Sequence, residues 1–144
     1  MTLLCLAPFI LAGYAGTIQT DWHKSADISG PYAELQSCKD GFGARLAFGA
    51  EWVQVGPQFG YSIPLGDDWS LTLQAHGGLG YSNTHHPETG IRQVTKFNGG
   101  LAVLLSVDRY SVKVGYDHSS NGRGLDPTNA GQDLWNVGVG YAFN

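Results

Sequence analysis

The sequence predicts an all-β fold: a single up-and-down antiparallel transmembrane β-barrel of eight strands. Three observations carry this. Apolar and polar residues alternate over segments of about ten residues, which is the signature of a membrane barrel strand. Glycine is scattered along the chain, at 21 of 144 residues. Each Gly costs about 1 kcal/mol in a helix interior relative to Ala, so this spread argues against helices. Aromatics make up 12% and charged residues only 14%, whereas disorder goes with few aromatics and many charges.

At the N-terminus, Met1–Gly16 reads MTLLCLAPFILAGYAG. An apolar run followed by small residues is the pattern of a secretory leader, here without its basic n-region and so expected to be truncated. The run is too short for a membrane helix, which takes about 20 apolar residues. A buried first strand or helix is the alternative. The expected organisation is therefore a leader over residues 1–16 and one barrel domain over residues 17–144. The length suits one domain.

The first strands, Thr17–Trp22 and Tyr32–Cys38, are placed mainly by the count of eight. The next, Phe42–Gly49, sets Phe42, Ala44, Leu46 and Phe48 against Gly43, Arg45, Ala47 and Gly49. Val53–Ile63 sets Val53, Val55, Pro57, Phe59, Tyr61 and Ile63 against Gln54, Gly56, Gln58, Gly60 and Ser62. Pro57 is a flaw there, because proline removes a ladder donor. Trp69–Tyr81 alternates most clearly, and its apolar row begins and ends on an aromatic ring, as girdled strands do. Ile91–Val107 points Phe97, Leu101, Val103 and Leu105 one way, with Arg92, Lys96, Asn98 and Ser106 the other. Tyr110–Ser120 sets Val112, Val114 and Tyr116 against Ser111, Lys113 and Asp117, and Trp135–Phe143 ends the barrel.

The turns Leu65–Asp68 and Asp108–Arg109 are tight, whereas Ser82–Gly90 and Ser119–Gly131 are long. Short periplasmic turns and long external loops fit a membrane barrel. The connection at Ala50–Trp52 departs from this, being external yet short. A soluble lipocalin-like barrel would turn its polar rows to water, and these rows carry few Lys or Glu. Net charge is −4, and the eight Lys and Arg form no basic stripe, which excludes a nucleic-acid partner. Cys5 and Cys38 are far apart and form no metal or redox motif.

One row carries chemistry. Val112, Val114 and Tyr116 continue into His118 and Ser120 on the lipid-facing side, at the outer rim. A serine hydroxyl is a weak nucleophile until a base takes its proton. That base needs a carboxylate to hold its tautomer. On the last strand, the parity of Trp135, Val137 and Val139 extends back to Asp133. If Asp133 lies opposite His118, then Trp135 meets Tyr116 and Val137 meets Val114. Asp117 and Gln132 have the wrong parity, and Asp126 in the loop is the alternative acid. His85-His86 with Glu88 reads as a solvated loop rather than a metal site, and His76 falls on the inward row.

The stretch from His118-Ser119-Ser120-Asn121-Gly122, through Asp126-Pro127-Thr128-Asn129-Ala130-Gly131, to Tyr141-Ala142-Phe143 resembles the lipid A 3-O-deacylase (PagL-like) family. The resemblance covers about the last thirty residues closely, and the rest only as a barrel. It implies an outer-membrane enzyme that hydrolyses an ester-linked 3-hydroxyacyl chain of lipid A, using a Ser-His-Glu triad on the barrel exterior. Carried over, it makes Ser120 the nucleophile and His118 the base. Asn121 becomes an oxyanion contributor, with Gly122 and Asn129 as further oxyanion or substrate contacts. The sequence departs from the family in its acid: no Glu follows Glu88, so Asp133 takes that place. The expected partner is lipopolysaccharide in the outer leaflet, with no metal or cofactor. Two other readings stay open: a non-catalytic OmpA-like structural barrel, and a soluble lipocalin-like binding barrel.

Overall fold

The computed structural model describes residues 7–19, 25–85, 90, 92–120 and 131–143, with only the backbone of Asn83, Arg92, Gln93 and Val94. Among these residues eight strands form: β1 (Phe9–Thr17), β2 (Gly30–Gln36), β3 (Gly41–Gly49), β4 (Trp52–Pro64), β5 (Trp69–His85), β6 (Arg92–Val107), β7 (Tyr110–Ser120) and β8 (Gln132–Ala142). Each pairs antiparallel with the next, and β8 pairs back onto β1, so the sheet closes into a barrel with no free edge.

The alternation read from the sequence sets which side each residue faces. Outside lie Tyr14, Leu35, Phe48, Val55, Phe59, Leu73, Leu101, Val103, Val114, Val137 and Val139, all exposed. Aromatics gather toward both ends of this belt: Tyr61, Trp69, Tyr110, Tyr141 and Phe143 at one, and Tyr14, Phe48, Tyr81, Phe97 and Trp135 at the other. An apolar outside around a polar inside is the pattern of a barrel that sits in a bilayer.

The interior is filled. At its middle, Glu34 accepts from Lys113 Nζ at 2.7 Å and pairs with Arg45, whose Nε lies 3.0 Å from Glu34 Oε1. Arg45 reaches Asp117 at 3.5 Å, and Asp117 also meets His76 Nε2 at 2.5 Å and accepts from Asn136 Nδ2 at 2.6 Å. Gln36, Gln58 and Gln74 are bonded to one another beside this network. Fully buried charges are costly unless paired and hydrogen-bonded, and here each cation meets a carboxylate. Apolar plugs close the two ends. Phe9, Leu11, Ala102 and Leu104 form one, at the end that holds Ala142, and Ala15, Ile28, Tyr32, Ala47, Trp52 and Leu134 form the other.

Three expectations change. The first strand is Phe9–Thr17, so it takes in Phe9–Gly16 of the run assigned to the leader; of the expected Thr17–Trp22, Ile18 and Gln19 follow the strand and residues 20–22 lie outside the described residues. This run alternates too: Phe9, Leu11 and Ala15 are buried while Ile10 and Tyr14 are exposed. Its inward residues are apolar because they plug the lumen, which hides the alternation in sequence. Next, Lys96 is exposed rather than inward, and Thr95 is buried. Leu79 pairs with Phe97 but Ser82 pairs with Thr95, so Gly80 and Tyr81 stand opposite Lys96 alone. Such a bulge shifts the register by one residue and turns the following side chains over. Last, β2 ends at Gln36 rather than Cys38, and β5 runs on to His85.

Pro57 sits where its flaw is tolerated. It faces outward, and the β4–β5 ladder skips from Val55↔Leu79 to Gln58↔His76. The strands come so close there that a Cβ at Gly56 would lie 2.1 Å from Gly77 O. The tight turns Leu65–Asp68 and Asp108–Arg109 share the end that holds Phe9 and Ala142, and Asp108 takes φ 51°, which Asp tolerates better than bulkier residues. The connection Ala50–Glu51 at the opposite end is as short as expected.

Candidate active site

The β7–β8 register is the one that keeps both apolar rows outward. His118 pairs with Asp133, Tyr116 with Trp135 and Val114 with Val137. A slip of one residue would place Lys113 and Asp117 against lipid, so this register is strongly specified. It brings the predicted base and the predicted acid face to face on the outside of the barrel, at the rim opposite Phe9 and Ala142.

There, His118 Nδ1–H donates to Asp133 Oδ1 over 2.7 Å. The Tyr116 hydroxyl donates to the same oxygen over 2.6 Å. The imidazole is 50% exposed and the carboxylate 25%, so the acid sits deeper than the base. With Nδ1 committed to the acid, Nε2 is left as the acceptor edge. Ser120 ends β7 two residues on, with the same outward parity as His118. That step is about 6.6 Å along a strand. Ser120 and His118 share no hydrogen bond here. Catalytic hydrogen bonds are often long without substrate and tighten when it binds.

Ser119 has the opposite parity. It is buried, and Gln54 Nε2 donates to its hydroxyl at 3.3 Å inside the barrel. Asp117 and Gln132 likewise point inward, as parity predicts. Asn121, Gly122, Asn129 and the alternative acid Asp126 lie outside the described residues. So do His86 and Glu88, while His85 ends β5. His76 belongs to the lumen network, as its parity indicated.

Two participants were not singled out from the sequence. Parity placed Tyr116 beside the site, but only as an aromatic neighbour of Trp135. Its hydroxyl contact to Asp133 is a diagonal one across the strand pair, a type within reach of long side chains. The other is Gly131, just before β8. A Cβ there would lie 2.7 Å from His118 Cε1 and 3.3 Å from Nε2. The imidazole therefore occupies space that any other residue type would fill. A glycine bordering the strand that carries the acid was the available signal.

Below the site the outer surface is continuous apolar strand. Trp135 lies over Gly16, where a Cβ would come within 2.3 Å of its ring, and packs against Tyr14 with centroids 5.9 Å apart. The imidazole and the carboxylate thus stand at the end of this apolar belt, with Ser120 next in the outward row.

No protein-family model matches the chain, and no curated protein matches it in sequence. Solved structures match it in fold. The attachment invasion locus protein Ail of Yersinia pestis aligns with a TM-score of 0.53 at 15% identity, over 95% of this chain and 99% of that one. The N-terminal β-barrel domain of Pseudomonas aeruginosa OprF aligns with a TM-score of 0.53 at 15% identity, over 94% and 97%. Neisserial surface protein A aligns with a TM-score of 0.55 at 12% identity, over 94% of each chain. These are eight-stranded outer-membrane barrels, and the likeness is one of fold.

Proposed function

We propose that this outer-membrane barrel is a lipid A deacylase that hydrolyses an ester-linked 3-hydroxyacyl chain through Ser120, His118 and Asp133. One observation carries the reading. On a surface made for lipid, an imidazole is bonded through Nδ1 to a carboxylate at 2.7 Å, with a serine next in the same outward row. This pair has the donor–acceptor order of a nucleophile's base and its orienting acid.

In the reaction, His118 Nε2 takes the proton of Ser120 Oγ as that oxygen bonds to the acyl carbonyl carbon. Asp133 stabilises the imidazolium through Nδ1–H. Backbone N–H groups, with Asn121 and its loop neighbours Gly122 and Asn129, are assigned to the oxyanion. Each such donor is typically worth about 2.7–4 kcal/mol. The intermediate collapses by breaking the bond to the sugar oxygen, which leaves with the proton from His118. Water, deprotonated by His118, then attacks the acyl-serine and releases the 3-hydroxy acid. One water is consumed and one ester becomes an acid and an alcohol.

The test is mass spectrometry of lipid A from cells expressing the wild-type chain, Ser120→Ala or Ser119→Ala. Wild type and Ser119→Ala should yield lipid A lighter by one hydroxyacyl chain, and Ser120→Ala should not. Equal deacylation by both variants, or none by wild type, removes the reading. A second reading, a non-catalytic barrel, is favoured by the fold likeness to Ail, OprF and neisserial surface protein A. It expects unchanged lipid A with all three chains.

A further inference from the structure

We propose that Tyr116 is a positioning residue of this site: its hydroxyl, held on the Asp133 oxygen that also binds His118, locks the carboxylate and through Nδ1 fixes the imidazole from which Ser120 would be activated. The inference rests on the deacylase reading. Its basis is the shared oxygen. Asp133 Oδ1 accepts from Tyr116 at 2.6 Å and from His118 Nδ1 at 2.7 Å. A carboxylate rotates easily, because the final torsion of Asp is broad and roughly two-fold. Two donors converging on one oxygen define its plane. Tyr116 is itself fixed, since its backbone is paired with Trp135 on one side and Leu101 on the other.

The partner of the hydroxyl separates this role from that of an ordinary girdle tyrosine. Girdle rings present their polar tip to the head groups. Here the tip reaches diagonally toward the rim and meets the acid, two residues beyond the Trp135 that pairs with Tyr116. The phenol touches Asp133, so its effect on substrate passes through His118.

The test is a double-mutant cycle on the full chain refolded in detergent, with lipid A micelles as substrate. Folding is checked by heat-modifiable gel migration, and Ser120→Ala is run alongside. Tyr116→Phe should lower kcat roughly 10- to 100-fold with KM unchanged, as expected for loss of one hydrogen bond to a charged group. In an Asp133→Asn background the same substitution should change kcat by less than about two-fold, because the partner is already gone. Tyr116→Leu is the second variant and should match the Phe loss. A kcat near wild type in Tyr116→Phe or Tyr116→Leu overturns the proposal. So does an equal loss in both backgrounds, or a raised KM with kcat intact. Activity retained in Ser120→Ala overturns the deacylase reading instead, so the two failures are distinguishable.

Discussion

Gly131→Ala isolates the space that the imidazole needs. The φ of Gly131 is not in the left-handed region, so alanine is compatible with the backbone and the substitution acts by sterics alone. The new methyl would begin 2.7 Å from His118 Cε1 and 3.0 Å from Ser119 O. Carbon atoms settle at about 3.5–4.0 Å, so the ring has to move by about 1 Å. The backbone oxygen of Ser119 is held in the β7–β8 ladder and yields less than the ring. His118 stands on the lipid side, so it can swing without disturbing the lumen, and the fold survives. Displacing a catalytic group by about 1 Å can cost roughly 100-fold in rate. The expected result is a chain that migrates as a folded, heat-modifiable barrel and releases hydroxy fatty acid about 10- to 100-fold more slowly. Gly131→Val should lose at least as much. Wild-type deacylation by Gly131→Ala would show that the position of the His118 ring is irrelevant to the activity, and would refute the reasoning.

Other outcomes follow from the same structure. Asp133→Asn should leave the barrel folded and lower the deacylation rate by roughly 10⁴, because the amide favours the wrong imidazole tautomer; single-turnover release of fatty acid measures it. Glu34→Ala leaves Arg45 and Lys113 buried without the carboxylate they share. Urea unfolding of the refolded barrel should then show a loss of roughly 3–5 kcal/mol. Val103→Arg places a charge on the lipid face between Leu73 and Val114, and should destabilise the bilayer-inserted barrel by about 2–4 kcal/mol in the same assay. Lys96→Ala should change little, since the bulge holds Lys96 on the outside; an unfolding midpoint well below wild type would show that Lys96 points inward.

Much of this architecture was legible in sequence because a membrane barrel repeats one local rule. Side chains alternate with period two, so a row of valines and aromatics identifies the lipid face wherever the opposite row is polar. That rule bounded β7 at Tyr110–Ser120 and put His118, Ser120 and Asp133 on one face. It also yielded the β7–β8 register, since any odd slip would turn a whole row over.

Tertiary structure decided what alternation does not encode. The start of β1 was hidden because both of its faces are apolar, one meeting lipid and the other plugging the barrel end with Phe9 and Leu11; only closure of β1 against β8 placed it. The outward turn of Lys96 came from two residues of β5 opposing one of β6, which no reading of β6 alone contains. The contact of Tyr116 with Asp133 and the space above Gly131 are diagonal and through-space relations. Parity assigns a face, but distances across neighbouring strands arise only when tilt, twist and closure bring those faces together.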